Sequence, residues 1–532
     1  MMKKLTTRAM ALGMSVSLLM AGCMTAYADT TTGTTENGSE SAGTTEGSSE
    51  SGTTTKTYTI TAPKDDAHKD HQYEIYQIFT GTLKENGKVL SNVKWGVNGK
   101  NDQDTVTVGD AVPETILEAL AKLTGNDKAK LAEIEKYVDL DSTPVATVKN
   151  GETYTAAPGY YLIKDKDNSV GDGDTYTPYI VQVVADLDIT PKNEVPSFEK
   201  KLKDTNDTTE DTSDWQDVAD YDIGDDVPFQ LKGIVAADYD SYDTYYFAFH
   251  DKEDAGLTFK KDTLKVYVNG TEISSGYELV EAPTDGCTFE VKFTNLKELT
   301  DVEVTAGSII TVEYDSELNE NAKVGTAEGN VNEGKLEYSN NPNSDQGGEK
   351  GNTPWDDVIV FTYKVVVNKY ANSAVEGNEL AGAEFKLEKV LKDGNTKEIG
   401  NAKTNNGTTF TFTGLDDGDY ILTETTTPEG YNTIDPIHFT VTADHKIEWN
   451  GEAKDTLFGE NAFGGNATTG DIQFTATTTD GTLSTNVVNK SGVTLPSTGG
   501  VGTTMFYAIG GVLMAGAGIL LVTRKRMEES EK

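Results

Sequence analysis

The chain has 532 residues and a formal charge of -42, with 45 Lys and Arg against 87 Asp and Glu. An acidic excess of that size excludes nucleic acid and anionic membrane surfaces as partners, because both are bound through positive charge. Only Cys23 and Cys287 occur as cysteines, so a mature exported chain has no disulfide pair to staple it.

Residues 1–28 read as a signal peptide. Lys3, Lys4 and Arg8 form a basic start, 10–20 are apolar, and Ala26-Tyr27-Ala28 is a small-x-small cleavage pattern. Met20-Ala21-Gly22-Cys23 offers a second reading, because it resembles a lipoprotein cleavage box. Residues 29–56 are Thr, Ser, Gly and Glu with almost no large apolar side chain. Such a stretch cannot bury a core and is expected to be a disordered linker.

From residue 57 the pattern becomes globular and rich in short β runs, such as Tyr73, Ile75, Tyr76, Ile78 and Phe79. Within 113–138 the spacing changes. Ile116, Leu117, Leu120 and Leu123, then Leu131, Ile134 and Val138, recur every three to four residues, which predicts a helical insertion in this first domain, 57–193. A second domain is expected over 194–355, with strand candidates at 227–231, 245–249, 264–268, 289–293 and 309–314. Its last part, 340–353, is rich in Gly, Asn and Pro and reads as a linker. The third domain, 356–490, begins with one long apolar run at 358–367 and continues in the same style. Many short strands with frequent turns indicate mainly β, tandem immunoglobulin-like sandwiches.

Residues 491–532 form a separate ending. Leu495-Pro496-Ser497-Thr498-Gly499 is followed by an uncharged apolar run at 503–523, then by Arg524-Lys525-Arg526. About 20 such residues suffice for a transmembrane helix, and the basic cluster fixes its cytoplasmic end.

Three side chains in the third domain break the apolar phase of their strands. Lys369 follows Tyr363, Val365 and Val367 at period two; Glu424 follows Tyr420 and Leu422; Asn489 follows Val487. An amine, a carboxyl group and an amide can thus meet in one apolar core. Burial favours the neutral amine and the neutral acid. The amine can then attack the amide carbonyl, polarised by the acid, release ammonia and leave an isopeptide cross-link. The second domain offers a parallel amine and amide: Lys200 in phase with Phe198 and Leu202, and Asn340 in phase with Leu336 and Tyr338. Lys201 and Asn341 are the alternatives, because a shift of one residue exchanges faces. In the first domain Tyr160-Tyr161-Leu162-Ile163-Lys164 resembles the third domain's Tyr420-Ile421-Leu422-Thr423-Glu424 with Lys164 in the acid's place, so no bond, or one built differently, is expected there. The five histidines lack zinc-ligand spacing, and the acid-rich stretch 165–174 reads as a solvated turn rather than a calcium loop. No metal or cofactor is expected.

These residues carry a resemblance. The order LPSTG, apolar span, basic stop resembles the cell-wall sorting signal of Gram-positive surface proteins, in which a sortase cuts between Thr and Gly, here Thr498 and Gly499. The stretch Tyr420 to Tyr431 (YxLxExxxPxGY), Leu380-Ala381-Gly382-Ala383-Glu384-Phe385 and the Lys369 strand are similar to collagen-adhesin B-type domains of Gram-positive pilins and adhesins, which form Lys–Asn bonds with the motif glutamate. Phe247-Ala248-Phe249-His250-Asp251 resembles the acid-bearing strand of the isopeptide-forming second domain of backbone pilins, and Ile189-Thr190-Pro191-Lys192-Asn193 resembles the pilin motif VYPKN, with Thr190 in place of Tyr. The resemblance implies a major (backbone) pilin, not an enzyme. It would be secreted, cell-wall-anchored, and polymerised by a pilus-class sortase through Lys192 and Thr498. The implied partners are identical subunits, tip and base pilins, a wall-anchoring sortase, peptidoglycan and a host surface ligand. A monomeric wall-anchored adhesin of the same domain type is the second reading. An extracellular enzyme with β-sandwich modules is the third, and the first domain is the place for its active site.

Overall fold

The computed structural model describes residues 56–491, apart from 67, 84–88, 103–104, 126, 184–185, 192–193, 327, 345–347, 349, 405, 444–464, 471–474 and 478–481. The signal peptide, Lys192, the motif 495–499 and the apolar run 503–523 therefore lie outside the described residues. Among the described residues no helix is long and apolar enough to cross a membrane. The architecture is mainly β, in three successive sets of sheets.

In the first set, Gln72–Leu83 is the central strand. It pairs with Leu90–Trp95, Gly159–Asp165 and Ala146–Lys149, and Ile180–Val183 extends the sheet. Tyr58–Thr61 lies between Thr153–Ala156 and Leu187–Asp188 in a smaller sheet. Helices Glu114–Ala121 and Asp127–Ile134 fall between Leu90–Trp95 and Ala146–Lys149. Ile116, Leu117, Leu120 and Leu123 pack beside buried Ile134 and Val138 against Tyr76, Ile78 and Trp95. The three-to-four spacing of these residues exists because only one face of each helix meets the sheet.

The acid-rich stretch 165–174 differs from the expected solvated turn. Asp165 is buried and accepts from the backbone N–H of Thr177 (2.6 Å). His71, 2 % exposed, lies between Asp165 (Nδ1 to Oδ1, 2.9 Å) and Asp174 (Nε2 to Oδ2, 2.8 Å). Two carboxylates on one imidazole clamp the end of the central strand to the loop that follows Gly159–Asp165.

The second set is a two-sheet sandwich. One sheet runs Thr271–Ile273, Leu257–Val268, Ile309–Leu318, Asp226–Ile234, Ser197–Leu202. The facing sheet runs Val218–Asp220, Asp356–Phe361, Asn330–Ser339, Phe247–Glu253, Phe289–Phe293, Glu278–Glu281. Alternate residues such as Phe229, Leu231, Phe247, Phe249, Val312, Tyr314, Leu336 and Tyr338 fill the space between them. The stretch expected to be a linker is folded in part: Lys350–Asn352 pairs with Glu337 to Ser339.

The third set is again two sheets. One has the order Lys403–Thr404, Thr409–Leu415, Tyr363–Ala371, Thr482–Asn489, Thr475–Thr477; the other has Thr396–Asn401, Glu384–Val390, Gly418–Thr426, Ile437–Ala443, Gly465–Gly470. The first and last strands named for this domain, Tyr363–Ala371 and Thr482–Asn489, are parallel neighbours.

The apolar run 358–367 is two strands rather than one. Asp356–Phe361 belongs to the second domain's sheet, between Asn330–Ser339 and Val218–Asp220. The chain passes Thr362 and enters the third domain as Tyr363–Ala371. Val358 and Val360 face the second core, whereas Ile359 and Phe361 pack into the third. A strand buried on both faces loses polar alternation, which is why the sequence pattern hides the break.

The His71 clamp generates a pH prediction. Burial alone would lower the imidazole, but hydrogen bonds and charge from Asp165 and Asp174 outweigh it and raise His71 from 6.5 to about 9. A raised histidine contributes stability that is fully present below its unfolded value and lost as pH rises through the folded one. The first domain should lose on the order of 2 kcal/mol between pH 6.5 and 10, with screening by the partly exposed Asp174 allowed for. Calorimetry across that range should show the slope in the native chain and its absence in His71→Gln.

Candidate functional site

In the third domain the alternation of Tyr363–Ala371 turns Val365, Val367 and Lys369 inward. Parallel pairing sets Lys369 beside Val487 and Ala371 beside Asn489, so the two polar side chains converge at one end of the sheet. Glu424 comes from the facing sheet on Gly418–Thr426. Lys369 and Asn489 are completely buried and the Glu424 side chain is closed to solvent. Lys369 Nζ lies 3.2 Å from Glu424 Oε1 and contacts Asn489 Oδ1. Asn489 Nδ2 donates to Glu424 Oε1 (2.9 Å) and Oε2 (3.0 Å). Glu424 is itself fixed by the Ile434 backbone N–H (3.2 Å) and by Thr427 Oγ1 (3.3 Å). Burial pulls the Lys369 amine below its usual range, opposed in part by Glu424. An amine that loses its proton readily, in contact with an amide and beside a carboxyl group, is the arrangement that acyl transfer between side chains requires.

In the second domain Lys200 is also completely buried, on Ser197–Leu202. Its Nζ contacts Asp251 Oδ2 and lies 3.0 Å from Tyr314 OH. Tyr314 OH donates to Asp251 Oδ2 at 2.5 Å. Lys201 faces the other way and pairs with Asp217 at 2.5 Å, which separates the two lysines by face.

The amide expected at Asn340 is a correction. Asp251 stands opposite Gly334 in the ladder, and Asn340 is six residues further along, which is about 20 Å of strand. The Asn340 carbonyl instead accepts from the Tyr176 N–H (2.7 Å), at the seam with the first domain. Asn341 holds the next turn through its side chain, accepting from Asn343 N at 3.0 Å. The amide at the site is Asn332, in the same phase as Leu336 and Tyr338 but at the other end of the strand. It is completely buried, its Nδ2 donates to Tyr314 OH at 3.0 Å, and its Oδ1 has no hydrogen-bond partner. Gly334 leaves room for the lysine: a Cβ there would lie 3.2 Å from Lys200 Cδ and 2.9 Å from Phe198 Cζ. The signal for Asn332 was the period-two phase read back from Tyr338, through Leu336 and Gly334.

In the first domain Lys164 pairs with Glu74 at 3.4 Å and Asp167 at 2.7 Å. No amide is among these partners. Two clusters among the described residues have atoms close enough to share a cation: His250, Asp285 and Cys287, and Asp207, Asp222, Asp225 and Asp416. The first is satisfied internally, since Cys287 Sγ donates to Asp285 at 3.1 Å and His250 lies 2.8 Å from the same oxygen. Burial and then Asp285 raise that thiol to about 12. The second surrounds an amine. Lys389, completely buried, contacts Asp416 and lies 3.2 Å from Asp222 and 3.4 Å from Asp207.

Residues 364–454 match the SpaA prealbumin-like fold domain, and residues 487–529 match the LPXTG cell wall anchor motif. The chain is 29% identical over 391 residues to the trypsin-resistant surface T6 protein of Streptococcus pyogenes serotype M6, covering 63% of this chain and 70% of that one. In fold it is similar to the T6 backbone pilin of the same serotype, which has a modular three-domain structure (TM-score 0.50, 18% identity, 82% of this chain and 99% of that chain). The full-length major pilin SpaD of Corynebacterium diphtheriae also matches, with TM-score 0.46 and 16% identity over 82% of this chain and 97% of that chain. The LPXTG anchor motif makes the chain a cell-wall-anchored surface protein, with a prealbumin-like third domain and a fold similar to that of a three-domain backbone pilin.

Proposed function

We propose that the protein is the shaft subunit of a covalent surface pilus serving adhesion, polymerised by a sortase and stiffened by internal Lys–Asn isopeptide bonds. The observation that carries this reading is the contact of Lys369, Glu424 and Asn489 inside the third core. Lys369 attacks the Asn489 carbonyl carbon, Glu424 relays protons, and ammonia leaves. In the second domain the same condensation joins Lys200 to Asn332, with Asp251 as the proton relay. The first domain is assigned no bond, since carboxylates surround its candidate lysine.

Between subunits, a sortase cleaves Thr498–Gly499 and holds Thr498 as an acyl-enzyme. Lys192 of a second copy supplies the amine. The incoming subunit has then used its Lys192 but keeps its own Thr498–Gly499 bond for the next cleavage, so the polymer grows at the membrane. A wall-anchoring sortase then transfers the finished polymer to peptidoglycan. The alternation of an acceptor between the first and second domains with a donor beyond the third supports head-to-tail order.

Each Lys–Asn condensation removes one ammonia, about 17 Da. The mature chain should be about 34 Da lighter than its sequence. Asn332→Ala should abolish one of the two losses, whereas Asn340→Ala should leave both; the reverse result would return the assignment to Asn340.

The third-domain bond would close a loop between residues 120 apart, a constraint of roughly 5 kcal/mol by chain entropy. Glu424→Ala should leave that domain folded but unlinked, with a lower melting temperature and faster proteolysis. An unchanged mass loss in that variant would remove Glu424 from the mechanism.

Denaturing gels of wall extracts test the polymer itself. The native chain should give a ladder. Lys192→Ala should give wall-linked monomer alone, and Thr498→Ala should give neither. A normal ladder from Lys192→Ala would assign the acceptor role to another lysine.

A further inference from the structure

The second-domain site contains a carboxyl group that the reaction described above does not use. Tyr314 OH accepts from Lys200 Nζ and Asn332 Nδ2, both at 3.0 Å, and donates to Asp251 Oδ2. A phenol has one proton and two lone pairs, so Tyr314 is fully occupied. This fixes the amide: turned over, Asn332 Oδ1 would face an oxygen with no proton to give. Asn332 Oδ1 therefore points away from Tyr314, and it is buried without a donor.

Asp251 Oδ2 already receives two donors, Lys200 and Tyr314, the posture of a proton acceptor. Glu253 follows two residues later on the same strand, hence on the same face. In the ladder Glu253 stands directly opposite Asn332, which puts their Cβ atoms about 5 Å apart. Ser316 Oγ donates to Glu253 Oε1, while Oε2 is buried and unpaired. An unpaired amide oxygen and an unpaired carboxyl oxygen on facing residues complement each other only if the carboxyl carries a proton. Burial and then the charge of Asp251 supply that condition, raising Glu253 to about 8.

Resting on the reading that Lys200 and Asn332 condense, we propose that Glu253 is a second catalytic acid of this site, donating a hydrogen bond to Asn332 Oδ1 while Asp251 handles the protons on nitrogen. Lys200 gives one proton to Asp251 and its free electron pair forms a bond to Asn332 Cγ. The carbonyl electron pair moves to Oδ1, where the Glu253 hydrogen bond stabilises it. Asp251 passes its proton to Nδ2 and takes the second proton from Nζ. The Cγ–Nδ2 bond breaks, the carbonyl re-forms, and ammonia leaves with the proton Asp251 holds, as ammonium. Glu253 ends in the form in which it began. The third domain differs in that one acid, Glu424, faces both lysine and amide.

The test uses the full chain recovered unfolded and refolded by dilution, with samples quenched in denaturant at intervals. Digestion and mass spectrometry then quantify the peptide pair joined through Lys200 and Asn332. Glu253→Gln, which keeps shape and a weaker N–H donor, should link more slowly than native chain, and Glu253→Ala more slowly still, by about 100-fold. The native rate should fall above pH 8, where Glu253 loses its proton, and the fall should be missing in Glu253→Gln. A residue that merely supports the fold would not produce that pH difference. Both variants linking within about threefold of the native rate, or a native rate that rises steadily through pH 9.5, would overturn the role of Glu253. A native chain with no Lys200–Asn332 peptide at all would overturn the condensation itself, a distinguishable failure.

Discussion

The structure depends on what an amine can do when it has no water. Lys200 and Lys369 are both completely buried. An isolated ammonium in such a place costs several kcal/mol even after relaxation, so each core must supply a carboxyl group to take the proton or hold the charge. In both sandwiches the carboxyl comes from the sheet facing the lysine, Asp251 in one and Glu424 in the other. The apolar layers around them exclude the solvent that would otherwise stabilise the separated charges. The sandwich thus brings amine and carboxyl group together in each core, closed to solvent.

The two sites reach this state by different routes. In the third domain lysine and amide sit on neighbouring parallel strands of one sheet, and the acid looks down on both. In the second domain lysine and amide belong to opposite sheets, and Tyr314 bridges the gap between them. The second core therefore holds a phenol as well as amine, acid and amide, and Gly334 leaves room for the lysine stem.

Legibility in the sequence followed strand phase. Lys369 and Glu424 each end a period-two apolar run and Asn489 follows Val487 in phase, so their inward direction could be read directly. Asn332 was harder, because its inward neighbours on the strand, Asn330 on one side and Gly334 on the other, carry no apolar signal. Phase alone allowed either end of the strand, and Asn340 stood at the more apolar one. The His71 clamp was hidden for a different reason: Asp165 and Asp174 approach it from about a hundred residues away, and no spacing rule links them. The segment 356–361 was misplaced because burial on both faces removes the alternation by which a strand declares its sheet.

That segment has a mechanical meaning. Its two faces serve as walls of two cores, Val358 and Val360 on one side, Ile359 and Phe361 on the other. Beside it, Lys389 reaches from the third domain to Asp222 in the second, and Asp416 N–H donates to the same aspartate at 3.0 Å. Bending between the two domains would have to bare Ile359 and Phe361 to water and pull a buried lysine from its carboxylates. The joint is therefore a rigid weld rather than a hinge, and tension entering the third domain passes to the second through packed side chains as well as through the backbone.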